Sequence, residues 1–399
     1  MSQVHKSLLR VLRVSKDIEK SVKDGMPWIR KSELPETAEL LECEAGALVE
    51  IRGARDTFIA IGTINPRSPI TVRILTSIKE SIDTAFFIQR FEAALKKREA
   101  KIKMPFYRLI HAESDSLPGL IIDRFDDIFV VQVSTAGMEQ LQPQWMQALE
   151  SLFAPKVLVL RNDIPARVLE GLKEYVQVVK GTPPPLVEVK EYDAIFLADL
   201  LKGQKTGWFY DQRDNRHMMA KLSNGKTVLD VFSHSGGFAI PAARMGASEV
   251  TLVDASELAL DLAKQAATKN NVLSRMNFLP GDAFEVMQRL AKDNQHFDIV
   301  VSDPPAFIPA RKDIGAGLKG YEKVAKFSAA LVTSGGHLFI ASCSHHASRA
   351  LFRKAVLDGI KKAGRKGEII KQTGAANDHP VYPKLPQSEY LKGVLLRFD

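Results

Sequence analysis

Only two cysteines, Cys43 and Cys343, occur in the 399-residue chain, so no disulfide framework is expected and the compartment should be reducing. Clustered thiols or imidazoles at zinc-binding spacing are missing, which excludes a structural metal of that kind. No run of about 18 apolar residues exists, so no membrane-spanning helix is expected. The opening stretch MSQVHKSLLRVLRVSKDIEK mixes basic and apolar residues without a small-residue cleavage site, which argues against a secretory signal and for a cytoplasmic location. The dinucleotide fingerprint GxGxxG is absent, which argues against NAD or FAD. No internal repeat or low-complexity tract is evident. What is present is ordinary globular composition, 45% hydrophobic and 26% charged, on a chain too long for one core, so two or three domains are expected. The formal net charge is +8, and residues 191–399 carry 28 basic against 22 acidic side chains. Arg311 and Lys312 follow a proline-rich turn, while Lys361, Lys362, Arg365 and Lys366 crowd a predicted helix end. Such runs suit a polyanionic partner, although most are only solvated faces.

Residues 1–75 read as closely spaced strands (GALVEIRG, FIAIGTINP, ITVRIL, after GMPWIRKSELPE) punctuated by Gly and Pro, which predicts a small β-barrel-like module. Helical periodicity over 78–103 places Ile82, Phe86, Ile88, Phe91 and Leu95 on one face and ends in a basic tail of Lys96, Lys97, Arg98, Lys101 and Lys103. From about 104 to 185, strands (GLIIDRF, IFVVQVS, VLVLRN) and a helix near 137–152 make an α+β segment that stops at the breaker GTPPP. From Lys226 onward TVLDVF, EVTLVD, NFLP, FDIVVSD and HLFIASC are each followed by helix-like sequence. That alternation predicts a parallel, doubly wound α/β sheet.

Such sheets bind ligands at the carboxyl ends of their strands. In VLDVFSHSGGFAI a buried strand runs into the paired glycines Gly236 and Gly237, where the backbone can approach a ligand closely. The next strand ends in Asp254, placed to accept hydrogen bonds from two ribose hydroxyls. Gly281 and Asp282 follow the third strand, where an adenine edge could be held. An acid at a strand end is often a helix cap, and Ser256 competes for that role. Three such features in order favour a nucleoside ligand.

The fourth strand stops at SDPPAF, leaving Asp303 at the sheet edge and Phe307 free to contact a planar ring. The fifth ends in Ser342, Cys343 and Ser344. If the two strands are neighbours their ends lie about 4.8 Å apart, and thiol and carboxylate face one pocket. That pair suits methylation at carbon 5 of a pyrimidine. The ring carbon is a poor nucleophile until a thiolate adds beside it, which makes Cys343 the candidate nucleophile. Asp303 is the candidate acid at ring nitrogen 3. A base is also needed, and His345, His346 and Glu389 are the candidates.

With these residues assembled, the chain resembles the class I S-adenosylmethionine-dependent methyltransferases. More narrowly, it resembles the bacterial large-subunit rRNA 5-methylcytosine methyltransferases that carry an N-terminal PUA domain and a central α+β domain. The likeness extends through GMPWIRKSEL, YRLIHAESDSLPGLIIDRFDD, GWFYDQRDNR, VLDVFSHSGGFAI, SDPPAF, ASCSHH and GAANDHPVYPKLPQSEYLKG. It implies a Rossmann-like, seven-stranded methyltransferase domain at 191–399, a PUA-like RNA-binding domain at 1–75 and a central α+β domain at 76–190. It further implies that Phe209, Asp211, Arg213, Phe232, Ser233, Gly236, Asp254, Asp282 and Asp303 line the S-adenosylmethionine pocket. Pro304, Pro305 and Phe307 would meet the base, and Cys343 would attack it. The implied partner is RNA, either 23S rRNA or a large-subunit precursor, with no membrane; a homodimer is compatible with it. The chain departs from the family in two ways. Ala306 stands where members often have lysine after the two prolines, and the fourth-strand motif lacks the second thiol of the two-cysteine enzymes. Methylation of uracil by a single-cysteine enzyme, methylation of guanine without a cysteine, and a non-catalytic assembly factor therefore stay open beside cytosine.

Overall fold

Short apolar strands separated by turns come first along the chain. The computed structural model describes residues 9–399, which form two compact units. The first runs to Pro185 and adds Leu200–Gly207 and Val381–Leu385. Its leading sheet has the strand order Arg10–Arg13, Leu48–Arg52, Phe58–Ile64, Val72–Thr76, Trp28–Ile29. Ile29, Val49, Ile51, Ile59, Ile64 and Val72 form its core. Arg10–Arg13 had no strand signature, since its RVLR sequence does not alternate; it pairs parallel with Leu48–Arg52. Cys43 packs at the edge of this core, with an Arg10 guanidinium N–H donating to its sulfur at 3.3 Å.

A second five-stranded sheet of the same unit has the order Val176–Lys180, Val157–Arg161, Ile128–Val133, Leu120–Phe125, Phe106–His111. The helices Thr84–Glu99 and Gln142–Phe153 cover it through Phe86, Phe87, Phe91, Trp145 and Leu149. The first of these helices starts six residues later than its periodicity suggested, because the Asp83 carboxylate caps it by accepting from Phe86 N–H at 3.1 Å. Within the basic tail Arg98 is buried, because its guanidinium makes paired hydrogen bonds with the Asp115 carboxylate and donates to the Arg108 carbonyl.

The second unit is built on a seven-stranded sheet of β1 (Thr227–Val231), β2 (Glu249–Asp254), β3 (Met276–Pro280), β4 (Phe297–Ser302), β5 (Val332–Ser342), β6 (Gly367–Thr373) and β7 (Lys392–Phe398). Their order is β3-β2-β1-β4-β5-β7-β6. The first five are mutually parallel, and α1 (Ala239–Arg244), α2 (Glu257–Lys269), α3 (Ala283–Lys292) and α4 (Ile314–Ala330) connect them in sequence. After α5 (Arg349–Lys362) the last two strands reverse: β7 runs antiparallel to both β5 and β6. The sheet is therefore mixed, not wholly parallel. Val231, Val300, Leu338, Ile340, Val324 and Leu396 are among the side chains packed between sheet and helices. Strand order reverses between β1 and β4, so the crevice beyond their carboxyl ends is where this topology holds a ligand.

Candidate active site

The loop after β1 is strained in the way ligand loops often are. Phe232 and His234 have φ of 63° and 47°, left-handed values that cost non-glycine residues energy, and Gly236 follows at 82°. Two tethers hold it. Ser233 N–H donates to the Val253 carbonyl at 3.0 Å, and His234 N–H donates to Asp254 Oδ2 at 2.7 Å. The other Asp254 oxygen accepts from Ser256 N–H at 2.9 Å. Ser256, not Asp254, caps α2, its hydroxyl accepting from Ala259 N–H at 3.2 Å. Asp254 thus fastens the glycine loop to β2, and each of its oxygens keeps a further lone pair for a ligand hydroxyl.

Asp282 is exposed and caps α3, with Oδ1 accepting from Phe284 and Glu285 N–H at 2.9 and 3.1 Å. Gly281, at φ 144°, is tied by its N–H to the Asp254 carbonyl at 3.0 Å. Phe232 is half-buried, with its ring edge-on to Phe284 at 6.4 Å.

Asp303 stands just beyond β4, and its Oδ2 accepts from Gln212 Nε2 at 2.9 Å. GWFYDQRDNR contributes to two places. Phe209 sits edge-on to His234 at 5.7 Å, against the glycine loop. Asp211 and Arg213 belong to a buried network with the C-terminal segment. Tyr390 Oη donates to Asp211 Oδ2 at 2.6 Å, Ala376 N–H donates to the Asp211 carbonyl at 2.8 Å, and the Arg213 guanidinium lies 3.7 Å from Glu191 and 3.8 Å from Asp378.

β4 and β5 are neighbours, with Ser302 in register with Ile340. Cys343 and Asp303 therefore emerge from one carboxyl edge. Cys343 is partly exposed although Ser342 and Ser344 on either side are buried. Ser344 locks the turn: its hydroxyl accepts from Ile308 N–H at 3.2 Å and bonds Tyr321 Oη at 2.7 Å. Burial pushes the Tyr321 phenol above its ordinary range. Pro304 is buried and Pro305 exposed. Phe307 is half-buried with its ring 4.9 Å from Tyr321, so one side of it is committed to packing against α4. Of the candidate bases, His345 stacks on Tyr390 at 5.2 Å, while Glu389 is paired with Arg349 at 2.8 Å. Among the described residues no cluster of His, Cys, Asp and Glu suits a metal ion, and no helix is long and apolar enough to cross a membrane.

Residues 173–396 match the family described as S-adenosylmethionine-dependent methyltransferase, and residues 12–77 match the PUA-like domain. Ribosomal RNA large subunit methyltransferase I of Aeromonas salmonicida (strain A449) is 37% identical over 385 residues, covering 95% of this chain and 97% of that protein. The chain belongs to this family of S-adenosylmethionine-dependent methyltransferases. The protein of the same name from Shigella boydii serotype 18 is 35% identical, covering 97% of this chain and 98% of its own. Among solved structures, a SAM-dependent methyltransferase from Streptococcus mutans is similar with a TM-score of 0.81 at 21% identity, covering 98% of this chain and all of its own. SMU.776, solved in complex with SAH, has a TM-score of 0.83 at 20% identity over 98% of this chain and 100% of its own. Both likenesses show the fold.

The cofactor of this methyltransferase is S-adenosylmethionine, and two buried atoms at the glycine loop fit such a ligand. Asp230 Oδ1 and Ser233 Oγ have no hydrogen-bond partner. Asp230 Oδ2 accepts from Ala239 N–H at 3.0 Å. Burial, and then the nearby charges of Asp303 and Asp254, push the Asp230 carboxyl up to about 8. A cationic ligand beside these carboxyl groups would favour their ionised forms and lower that value.

Asp230 was passed over in the sequence, although a lone acid inside the apolar run VLDVF was a readable signal. Gln212 and Tyr390 were missed for a different reason. Their roles depend on pairings across long stretches of chain, which no local pattern announces.

Proposed function

We propose that this methyltransferase acts on ribosomal RNA of the large subunit, 23S rRNA or its precursor, transferring a methyl group to carbon 5 of a cytosine through a covalent adduct with Cys343. The observation that carries the reading is the partly exposed Cys343 thiol at the end of β5, beside Asp303 at the end of the adjacent β4. The relatives named as ribosomal RNA large subunit methyltransferases support the substrate class, and the PUA-like match at residues 12–77 supports RNA as the partner. In this reading residues 1–75 grip the RNA, 76–190 form a central domain and 191–399 carry out the chemistry. Folded RNA is gripped largely by shape and backbone, and the target base leaves its stack to react.

Asp254 would hold the ribose hydroxyls of S-adenosylmethionine, the Phe232–Gly236 loop its amino-acid end, and Asp282 and Phe232 its adenine. When bound, the cofactor supplies a methyl group on a positively charged sulfur. Cys343, as thiolate, adds to carbon 6 of the base: a carbon–sulfur bond forms and the 5,6 double bond gives its electron pair to carbon 5. Asp303 donates a proton or hydrogen bond at nitrogen 3 as charge builds there. Once carbon 5 is methylated, a base removes its proton, the double bond re-forms and the thiolate leaves. His345, His346 and Glu389 are the candidates for that base; Glu389 is engaged by Arg349, and His345 by Tyr390 and the Gln387 carbonyl.

The test is trapping on RNA substituted with 5-fluorocytosine, where fluorine replaces the proton that must be lost. The native chain should give a denaturation-resistant adduct that Cys343→Ala does not. A methylated product from Cys343→Ala at native rate would refute the covalent mechanism. Because Cys343 is the only thiol at this edge, 5-methyluridine is the second reading; an adduct on 5-fluorouracil RNA alone would select it.

A further inference from the structure

We infer that Lys392 is the counter-cation of Cys343, a positioning residue that stabilises the thiolate form and so sets the sulfur's reactivity. The inference rests on Cys343 as the nucleophile.

Lys392 opens β7 directly opposite Ser342, the residue before Cys343. It is only 2% exposed. Its ammonium donates to the carbonyls of Ser344 and Ala347, both at 2.7 Å, which wraps it around the turn that carries the thiol. Among the described residues no carboxylate is hydrogen-bonded or ion-paired to it. Carbonyls satisfy two of its three donors and leave the positive charge uncompensated. Burying an ammonium without an anion is costly, so such a residue is expected to have a charged partner in some working state.

The surrounding groups leave Cys343 as that partner. Arg349 faces Lys392 with like charge but is itself bound to Glu389 at 2.8 Å. Glu389 and Cys343 are the two groups that favour the charged lysine. Tyr321 approaches from α4, and the charge of Cys343 acts on it unfavourably. His345 turns its ring to Tyr390. Burial lowers the Lys392 ammonium to about 8. A cation is also chemically required at this edge. Acidic side chains, Asp254 among them, end the strands of this edge, and a negative charge there opposes formation of a thiolate, an opposition that a buried ammonium reverses.

The test is the pH dependence of Cys343 alkylation by iodoacetamide, mapped by mass spectrometry with Cys43 as internal control. Lys392→Met should raise the alkylation midpoint of Cys343 by a unit or more and slow modification at pH 7 about tenfold. Lys392→Arg should restore the native midpoint, and Cys43 should not respond to either change. A Lys392→Met midpoint equal to the native one, with modification uniformly faster, would make Lys392 a mere clasp and overturn the inference.

If Lys392→Met fails to fold, the native chain alone decides. A thiol whose folded pKa is depressed contributes stability above its unfolded value, lost as pH falls through the folded value. The alkylation midpoint of Cys343 in the folded native chain should therefore lie below its midpoint in the urea-unfolded chain, whereas a folded midpoint at or above the unfolded one overturns the inference. Retained methyl transfer by Cys343→Ala would instead remove the nucleophile reading, while the alkylation midpoints still report on the pairing.

Discussion

Replacing Asp230 by asparagine tests whether the glycine loop stores an electrostatic cost that the cofactor relieves. Burial raises the folded carboxyl from 3.8 to about 8. The native chain therefore holds a proton over a pH range in which the unfolded chain has already released it. Stability from the protonated form is complete below pH 4 and is lost as pH climbs through the folded value. Each pH unit in that interval is worth about 1.4 kcal/mol. From pH 5 to 8 the cofactor-free native chain should lose roughly 4 kcal/mol relative to Asp230→Asn, whose amide has no proton to lose. Taking the difference between the two proteins cancels the other titrating groups, provided they do not couple to Asp230. Asp303 and Asp254 do couple to it, and their charges are already part of the rise to about 8. Urea unfolding of both proteins without cofactor, at half-unit steps from pH 5 to 8, measures the quantity directly. A difference that stays flat, or turns in favour of the native chain as pH rises, would refute the argument. In the same samples Asp230→Asn should bind S-adenosylmethionine more weakly, since the carboxylate that a cation would favour is gone.

Two neighbouring residues should separate binding from capping. Asp254→Asn is expected to raise the KM for S-adenosylmethionine at least tenfold by weakening both the loop tether and the ribose contact, whereas Ser256→Ala should cost about 1 kcal/mol of stability and leave that KM unchanged; steady-state kinetics and thermal melts read both. In the first unit, Arg98→Met leaves the buried Asp115 carboxylate without its guanidinium, and removing one member of a buried pair should cost about 3–5 kcal/mol in equilibrium unfolding.

The strands of the second unit up to β5 were legible because parallel strands buried on both faces read as continuous apolar runs bounded by turns. The reversal at β7 was not. KGVLLRF is as apolar as the parallel strands, and direction within a sheet depends on the connection rather than on composition. Cys343 and Asp303 could be brought to one edge by assuming that sequential strands are neighbours, and they are. Asp282 and Asp254 carried the same ambiguity between cap and ligand. The structure gives the cap on α2 to Ser256 and leaves the one on α3 with Asp282. The burial of Arg98 was not legible in its basic run, because its acidic partner, Asp115, comes beside it only in the fold.

The inserted seventh strand has a consequence for how the enzyme is made. Because β7 lies between β5 and β6, β6 emerges from the ribosome before the strand it must pair with. Until residues 392–398 arrive, β5 presents an open backbone edge with the thiol at its tip, a template for unwanted strand addition. Closing that edge and delivering Lys392 are a single event, so the nascent sheet gains its protection and its proposed cation together.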